Sequence, residues 1–333
     1  ATMGRSFWIY DDLGLLRQWD PKSNDAKLFT PEPAILANWY GGMNSNSATG
    51  TSDFTGVNPA TGMVIYYNLS EVKKDEELTL EIRDAKGELV NRYTSKKDST
   101  YVKYEGGPSK KPVLNANKGM NRFVWNMRHD MLLGAPKVYI EGSFRGHKAI
   151  PGTYSLKLSY GDAQMETSAE IKNNPLYEIS QEEFLAYDEF MSQGEKTYNE
   201  MTQMTNQLYE IQQKLTQVVG QLNASEQAQL KSEAQELLKE LKAFDAAMVQ
   251  RLSKAYDDVE NFENGFTAHY ITTINQTDSS IPKVTNGARN RMKELNTTWE
   301  GHKKTGSTLL NTKVPAMNKK LFDSGFGALF ATK

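Results

Sequence analysis

The chain of 333 residues contains no cysteine. That absence excludes disulfides, thiolate metal sites and cysteine nucleophiles together. No run of ~18 apolar residues occurs, so no segment reads as a membrane-spanning helix. No charged-then-apolar leader is visible at the start. Neither sign of charge dominates: 39 Lys+Arg stand against 41 Asp+Glu, which excludes a nucleic-acid surface built on bulk basic charge. Hydrophobic residues are few at 38%, and mean hydropathy is -0.63. This balance suits helix-rich or elongated parts better than one large core. At ~150 residues per domain, the length implies about two folded units.

The hydrophobic period changes along the chain and divides it into four stretches. In residues 1–20, Phe7-Trp8-Ile9-Tyr10 is a compact run of strand-formers that needs a sheet to join. Residues 21–62 carry Pro21, Pro31, Pro33, Gly41 and Gly42 among Asn, Ser and Thr, which is linker composition. Residues 63–175 alternate with period two. Strands are predicted at Met63–Tyr67, Leu78–Ile82, Glu88–Val90, Asn121–Trp125, Tyr154–Leu158 and Glu166–Ile171, with turns at Asp84–Gly87 and Gly161-Asp162. Roughly seven short strands in ~110 residues predict an immunoglobulin- or fibronectin-like β-sandwich. Residues 176–333 are helical in period. Met201, Met204, Leu208, Ile211, Leu215, Val218 and Leu222 form one heptad seam, and Leu230, Ala234, Leu237, Leu241, Phe244, Met248 and Leu252 a second. Ser225 is placed to cap the second helix. A third seam runs from Ala288 through Met292, Leu295, Trp299 and His302 to Leu309, with Pro315 set to kink its end. These seams predict an antiparallel three-helix bundle or a long coiled hairpin, and the fold class is α+β, multidomain.

Chemistry-bearing residues are dispersed. Glycoside hydrolysis needs two carboxylates about 5–10 Å apart in a cleft. The adjacent pairs Asp11/Asp12 and Glu182/Glu183 diverge on a strand or a helix. The four histidines, His129, His147, His269 and His302, fall at no helical ligand spacing of the HExxH type. His302 reads as a core histidine on its seam. His129 and His147 bracket the longest loop of the predicted sandwich, which holds Tyr139, Phe144 and Arg145 and is the best binding candidate. Trp39-Tyr40-Gly41-Gly42 is an aromatic cluster that anchors the linker or stacks on a sugar. The outer face of the first helix carries Gln203, Gln207, Gln212, Gln213 and Gln217, a neutral solvent face or a docking stripe. Asp98-Ser99-Thr100 has the form of a short O-glycosylation acceptor. No catalytic, cofactor or metal-ligand set is read from these residues.

Four segments, taken in order, resemble one family. Ala1-Thr2-Met3-Gly4-Arg5-Ser6-Phe7-Trp8-Ile9-Tyr10-Asp11-Asp12-Leu13 looks like the closing strand of a sortilin-type BNR-repeat β-propeller. Gly119-Met120-Asn121-Arg122-Phe123-Val124-Trp125-Asn126-Met127-Arg128 resembles the GxNxFxWDxR strand of the sandwich that follows that propeller, and Pro151-Gly152-Thr153-Tyr154 its PGTY strand start. Val314-Pro315-Ala316-Met317-Asn318 is similar to the family's last helix. Met3 and Asn126 depart from the His and Asp usual there. The resemblance implies the C-terminal part of a larger secreted protein typical of Bacteroidota, exported by a signal peptide upstream of this chain to the periplasm or cell surface. Its expected partners are its own upstream propeller, an envelope protein and, in one reading, a glycan. The leading function is then a non-catalytic interaction and scaffolding region. The alternatives are support for a propeller glycoside hydrolase with its active site upstream, or a carbohydrate-binding module using Trp39, Tyr40, Tyr139 and Phe144. Members carry a glycosyl-hydrolase label that belongs to the propeller, so any such activity is expected there.

Overall fold

A computed structural model describes residues 13–36, 60–72, 75–223, 225–278 and 282–327. The expected propeller strand at Phe7–Tyr10 and the aromatic pair Trp39-Tyr40 lie outside them. By contacts the chain forms two compact units. Unit 1 holds residues up to 101, 110–130 and 146–188; unit 2 holds 102–109, 131–145 and 189 onward.

Unit 1 is built on alternation. After a short helix α1 (Leu13–Gln18) come two-residue strands β1 (Lys27–Leu28) and β2 (Ala34–Ile35). Then follow β3 (Met63–Leu69), β4 (Leu78–Arg83), β5 (Leu89–Thr94), β6 (Gly119–Trp125), β7 (Gly152–Tyr160) and β8 (Ala163–Lys172). In β3 the inward residues Met63, Ile65, Tyr67 and Leu69 are buried and those between them only partly so, the signature of a strand with one face on a core. Leu78, Leu80 and Ile82 repeat this in β4. Gly87 and Gly161 take positive φ (81° and 56°) in the two tight turns.

The strands do not make the predicted immunoglobulin-like sandwich. They form a three-stranded sheet, β1-β3-β6, and a curled five-stranded sheet, β2-β8-β7-β4-β5. Two features of the chain overturn the expectation. The stretch read as linker supplies an edge strand to each sheet, and β2 joins β8 in parallel, a pairing foreign to the all-antiparallel sandwich. The five-stranded sheet curls around a single core that also takes the inner face of β3 and β6 and the side chain of Phe184 from the following helix. Trp125, fully buried, meets Tyr154 edge-on at 5.4 Å.

Nor do the helices form three rods. Helix α2 (Gln181–Gln221) is 41 residues long, and its residues up to Asp188 belong to unit 1. Unit 2 continues with α3 (Ala228–Met248), α4 (Phe266–Thr277), α5 (Asn286–Thr308) and α6 (Val314–Asp323). Helix α4 escaped the sequence reading because polar residues interrupt its dry face: Phe266, Ala268, Tyr270, Ile271 and Ile274 are buried together with Thr267, Thr273 and Thr277, while His269, Thr272 and Gln276 make a narrow exposed face. Ser225 does not cap α3. Its hydroxyl donates to Asn223 Oδ1, and the residue at the cap is Gln227, whose side chain makes no capping bond and instead accepts from Asn223 N–H. Leu252 lies beyond the end of α3 and is exposed rather than on the seam. Ahead of Pro315 the helix widens into a π turn, Leu309–Lys313, before α6 begins. Proline lacks the N–H that would close an α-turn and its ring crowds the preceding carbonyl, and a wider turn relieves both. No helix among the described residues is long and apolar enough to cross a membrane.

Candidate metal-binding cluster

Unit 1 brings together three side chains that sequence spacing keeps apart. His129 follows β6, His147 precedes β7, and Asp188 sits in the first turns of α2, 41 residues beyond His147. The chain beside each histidine is pinned by backbone bonds. His129 N–H donates to the His147 carbonyl and Ala149 N–H to the Met127 carbonyl, both at 2.9 Å, and Arg128 and Lys148 form a β-bridge. Gly146 permits this approach. A Cβ there would lie 2.3 Å from the Asp130 oxygen and 2.5 Å from the His129 oxygen. Met127 turns the chain out of β6 with a φ of 53°, unusual for a side-chain-bearing residue and held here by its surroundings.

Several groups fix this corner. The Arg128 carbonyl accepts from Trp125 Nε1 at 3.1 Å and from Asn91 Nδ2 at 3.0 Å, while the Arg128 guanidinium donates to the Gly146 carbonyl at 2.8 Å. Helix α2 is aimed by a capping box. Glu183 N–H donates to Ser180 Oγ, and Ser180 N–H to Glu183 Oε2. Tyr187, fully buried, sets the helix against the bridge: its hydroxyl accepts from Lys148 N–H at 3.3 Å, and its ring meets that of His147 edge-on.

The result is a two-histidine, one-carboxylate cluster. His147 Nε2 stands 3.2 Å and His129 Nε2 3.4 Å from the same oxygen, Asp188 Oδ1. The two imidazoles stack at 3.8 Å with 17° between their planes. All three ligand atoms lie within 4.8 Å of one another. His147 is shut off from solvent, whereas the side chains of His129 and Asp188 are 20% and 22% exposed. Burial pushes the Asp188 carboxyl up, but hydrogen bonds from both histidines and their charge outweigh it and hold the group well below the usual carboxylate range. The arrangement can hold a proton between imidazole and carboxylate, or a cation in place of that proton.

The other candidates fare differently. His302 is half-buried against the ring of Phe266, at 5.1 Å between centroids. Phe144 is buried against Tyr198, which removes its face from any sugar, and Tyr139 is half-buried beneath Gly106. Gln212 is buried, not on the outer face, whereas Gln203, Gln213 and Gln217 are exposed. Thr100 closes a local turn on Asp98 through its N–H and its hydroxyl. The sequence did single out His129 and His147 as the two ends of one loop. It carried no sign of Asp188, because only the tertiary fold brings α2 to that loop. No protein-family model, curated protein or solved structure matches the chain, so the likeness to sortilin-type propeller proteins rests on the residue motifs alone.

Proposed function

We propose that this chain is a non-catalytic interaction and scaffolding region of a longer, exported β-propeller protein, supporting the propeller and contacting an envelope partner. The observation that carries the reading is the face presented by α1. Leu13, Leu16 and Trp19 recur every third residue and are 52%, 42% and 47% exposed. A helix with that spacing turns all three to one side. The opposite side of α1 is tied down. Gln18 Nε2 donates to the Thr30 carbonyl and Gln18 Oε1 accepts from Thr30 N–H, each at 2.9 Å. Lys27 Nζ donates to the Gln18 carbonyl at 2.6 Å. A Cβ at Gly14 would meet the exposed Glu32 side chain, which packs against the helix there. Trp19 lies one residue past the helix end, held in line by its N–H donating to the Leu15 carbonyl at 2.9 Å, and a pinned segment that holds three large apolar side chains in solvent is suited to being covered by another surface. It directly follows the segment that resembles a closing propeller strand.

The test is amine crosslinking in native envelope with a tag on the C-terminal helices, read by mass spectrometry. Lys22 and Lys27, both exposed and within ten residues of α1, supply the reactive amines. The expected result is links from these lysines to a propeller of the same protein or to one stoichiometric envelope partner, reduced in a Leu16→Asp/Trp19→Asp variant. Links confined to the residues of this chain would overturn the reading.

A further inference from the structure

We infer that His129 Nε2, His147 Nε2 and Asp188 Oδ1 form a binding site for one divalent transition-metal ion of the zinc class. Distance is the first argument. A tetrahedral ion with bonds of ~2.0–2.1 Å keeps its ligand atoms about 3.3–3.4 Å apart. The two nitrogen-to-oxygen separations are 3.2 and 3.4 Å. Charge-assisted N–H···O bonds close to about 2.7–2.9 Å, so the two contacts are looser than such bonds at their best and match two edges of a coordination polyhedron, with all three atoms within 4.8 Å of one another. Donor chemistry is the second. Two imidazoles with one carboxylate suit zinc and its neighbours and are a poor set for calcium or magnesium, which favour an all-oxygen shell.

Arrangement is the third argument. Two stacked imidazoles aimed at one carboxylate oxygen repel each other if both are protonated, and an ion shared by all three removes that repulsion. The partial exposure of His129 and Asp188, against a sealed His147, leaves one side of the site open for a fourth, water ligand. The supporting shell is already in place: the bridge at Arg128 and Lys148, the close approach at Gly146 and the Tyr187 hydroxyl fix the three carriers. Bound there, the ion joins the exit of β6, the entry of β7 and the start of α2. Its binding energy then becomes stability of unit 1. This inference does not depend on the propeller reading.

The experiment uses the full chain stripped with EDTA and titrated with Co2+ alone, followed by competition with Zn2+. The expected result is one equivalent per chain, the visible absorption of four- or five-coordinate cobalt, its displacement by zinc, and a higher Tm in the presence of zinc. His129→Gln and Asp188→Asn should each weaken binding by about 100-fold or more. Both positions are partly exposed, so both variants should keep the wild-type circular dichroism in EDTA. Mapping by diethyl pyrocarbonate supplies a readout that needs no variant: zinc should protect His129 and leave His269 and His302 as reactive as before. Binding that both variants retain, labelling of His129 that zinc does not change, or the absence of stoichiometric binding would each overturn the site.

Discussion

At the scale of single residues, one tightly held charge lies in the helical unit. Asp245 on α3 is 5% exposed and receives a forked grip from Arg251, with Nε at 3.0 Å from Oδ2 and Nη2 at 2.7 Å from Oδ1. The same guanidinium lies 3.6 Å over the ring of Tyr209. Lysine keeps the charge but has neither the fork nor the flat face. Arg251→Lys is expected to cost about 2 kcal/mol through the lost charge-assisted bonds. Arg251→Met leaves a buried carboxylate unpaired and should cost about 3–5 kcal/mol. Urea titrations would show the order, and equal losses would contradict it. A second residue sets a pH dependence. Burial lowers the pKa of His302, so its neutral form is favoured in the fold. Above the unfolded value of about 6.5 the ring is neutral in both states and the full contribution is present. As pH falls through that value, the unfolded chain takes up the proton first and stability is lost. The drop in Tm between about pH 7.5 and 5.5 should therefore be smaller in His302→Gln than in the wild type, and equal drops would refute it. Gln212 marks what a one-dimensional pattern misses. Its side chain is 8% exposed and its Oε1 has no hydrogen-bond partner among the described residues, although a glutamine in a helix reads as solvent-facing.

Elements obey the same physics over longer spans. The strands were legible because each keeps one face on the core, so apolar residues at every second position survive as a pattern. Strands β1 and β2 were not legible, since two residues hold no period and their place is fixed by the sheets they join. The seams of α2, α3 and α5 were legible for the converse reason, a wet face opposite a dry one. Helix α5 also supplies a comparison within one element. Gly301 has open space where a Cβ would stand, whereas a Cβ at Gly306 would come within 2.3 Å of Met204 Sδ and 3.0 Å of the Phe244 ring. Gly301→Ala should stabilise by up to about 1 kcal/mol, the helix-propensity difference between the two residues. Gly306→Ala gains the same propensity but forces side chains apart where α2, α3 and α5 meet, and overpacking of that kind costs about 1–3 kcal/mol. The two substitutions should move Tm in opposite directions. A rise in both would mean that Met204 and Phe244 yield freely.

For the whole molecule, the path of the chain decides what can fold alone. A reading by period places one boundary near residue 175, where alternation gives way to heptads. Contacts instead assign 102–109 and 131–145 to the helical unit and the start of α2 to the strand unit, so the chain passes between the units five times. Period reports which face of an element is dry, not which neighbour dries it. A piece spanning 63–175 therefore keeps every long strand yet loses two things. It lacks Phe184, which is 1% exposed in the strand core, and both edge strands from the preceding stretch. It also carries Leu132, Val138, Ile140 and Phe144, all buried within the helical unit, with nothing left to cover them. Uncovering that many large side chains at about 1.5–3 kcal/mol each is comparable to the whole stability of a domain. The expected outcome is that 63–175 is insoluble or gives the collapsed spectra of an unpacked chain, while 13–333 unfolds cooperatively. Extending the short piece to 13–188 restores the edge strands, Phe184 and the Asp188 carboxylate. It should recover strand signals in nuclear magnetic resonance while 131–145 stays open to protease. Well-dispersed spectra from 63–175 alone would show that the strand core closes without the helix, and the interleaving of the chain would then be an accident of its path rather than a condition of its folding.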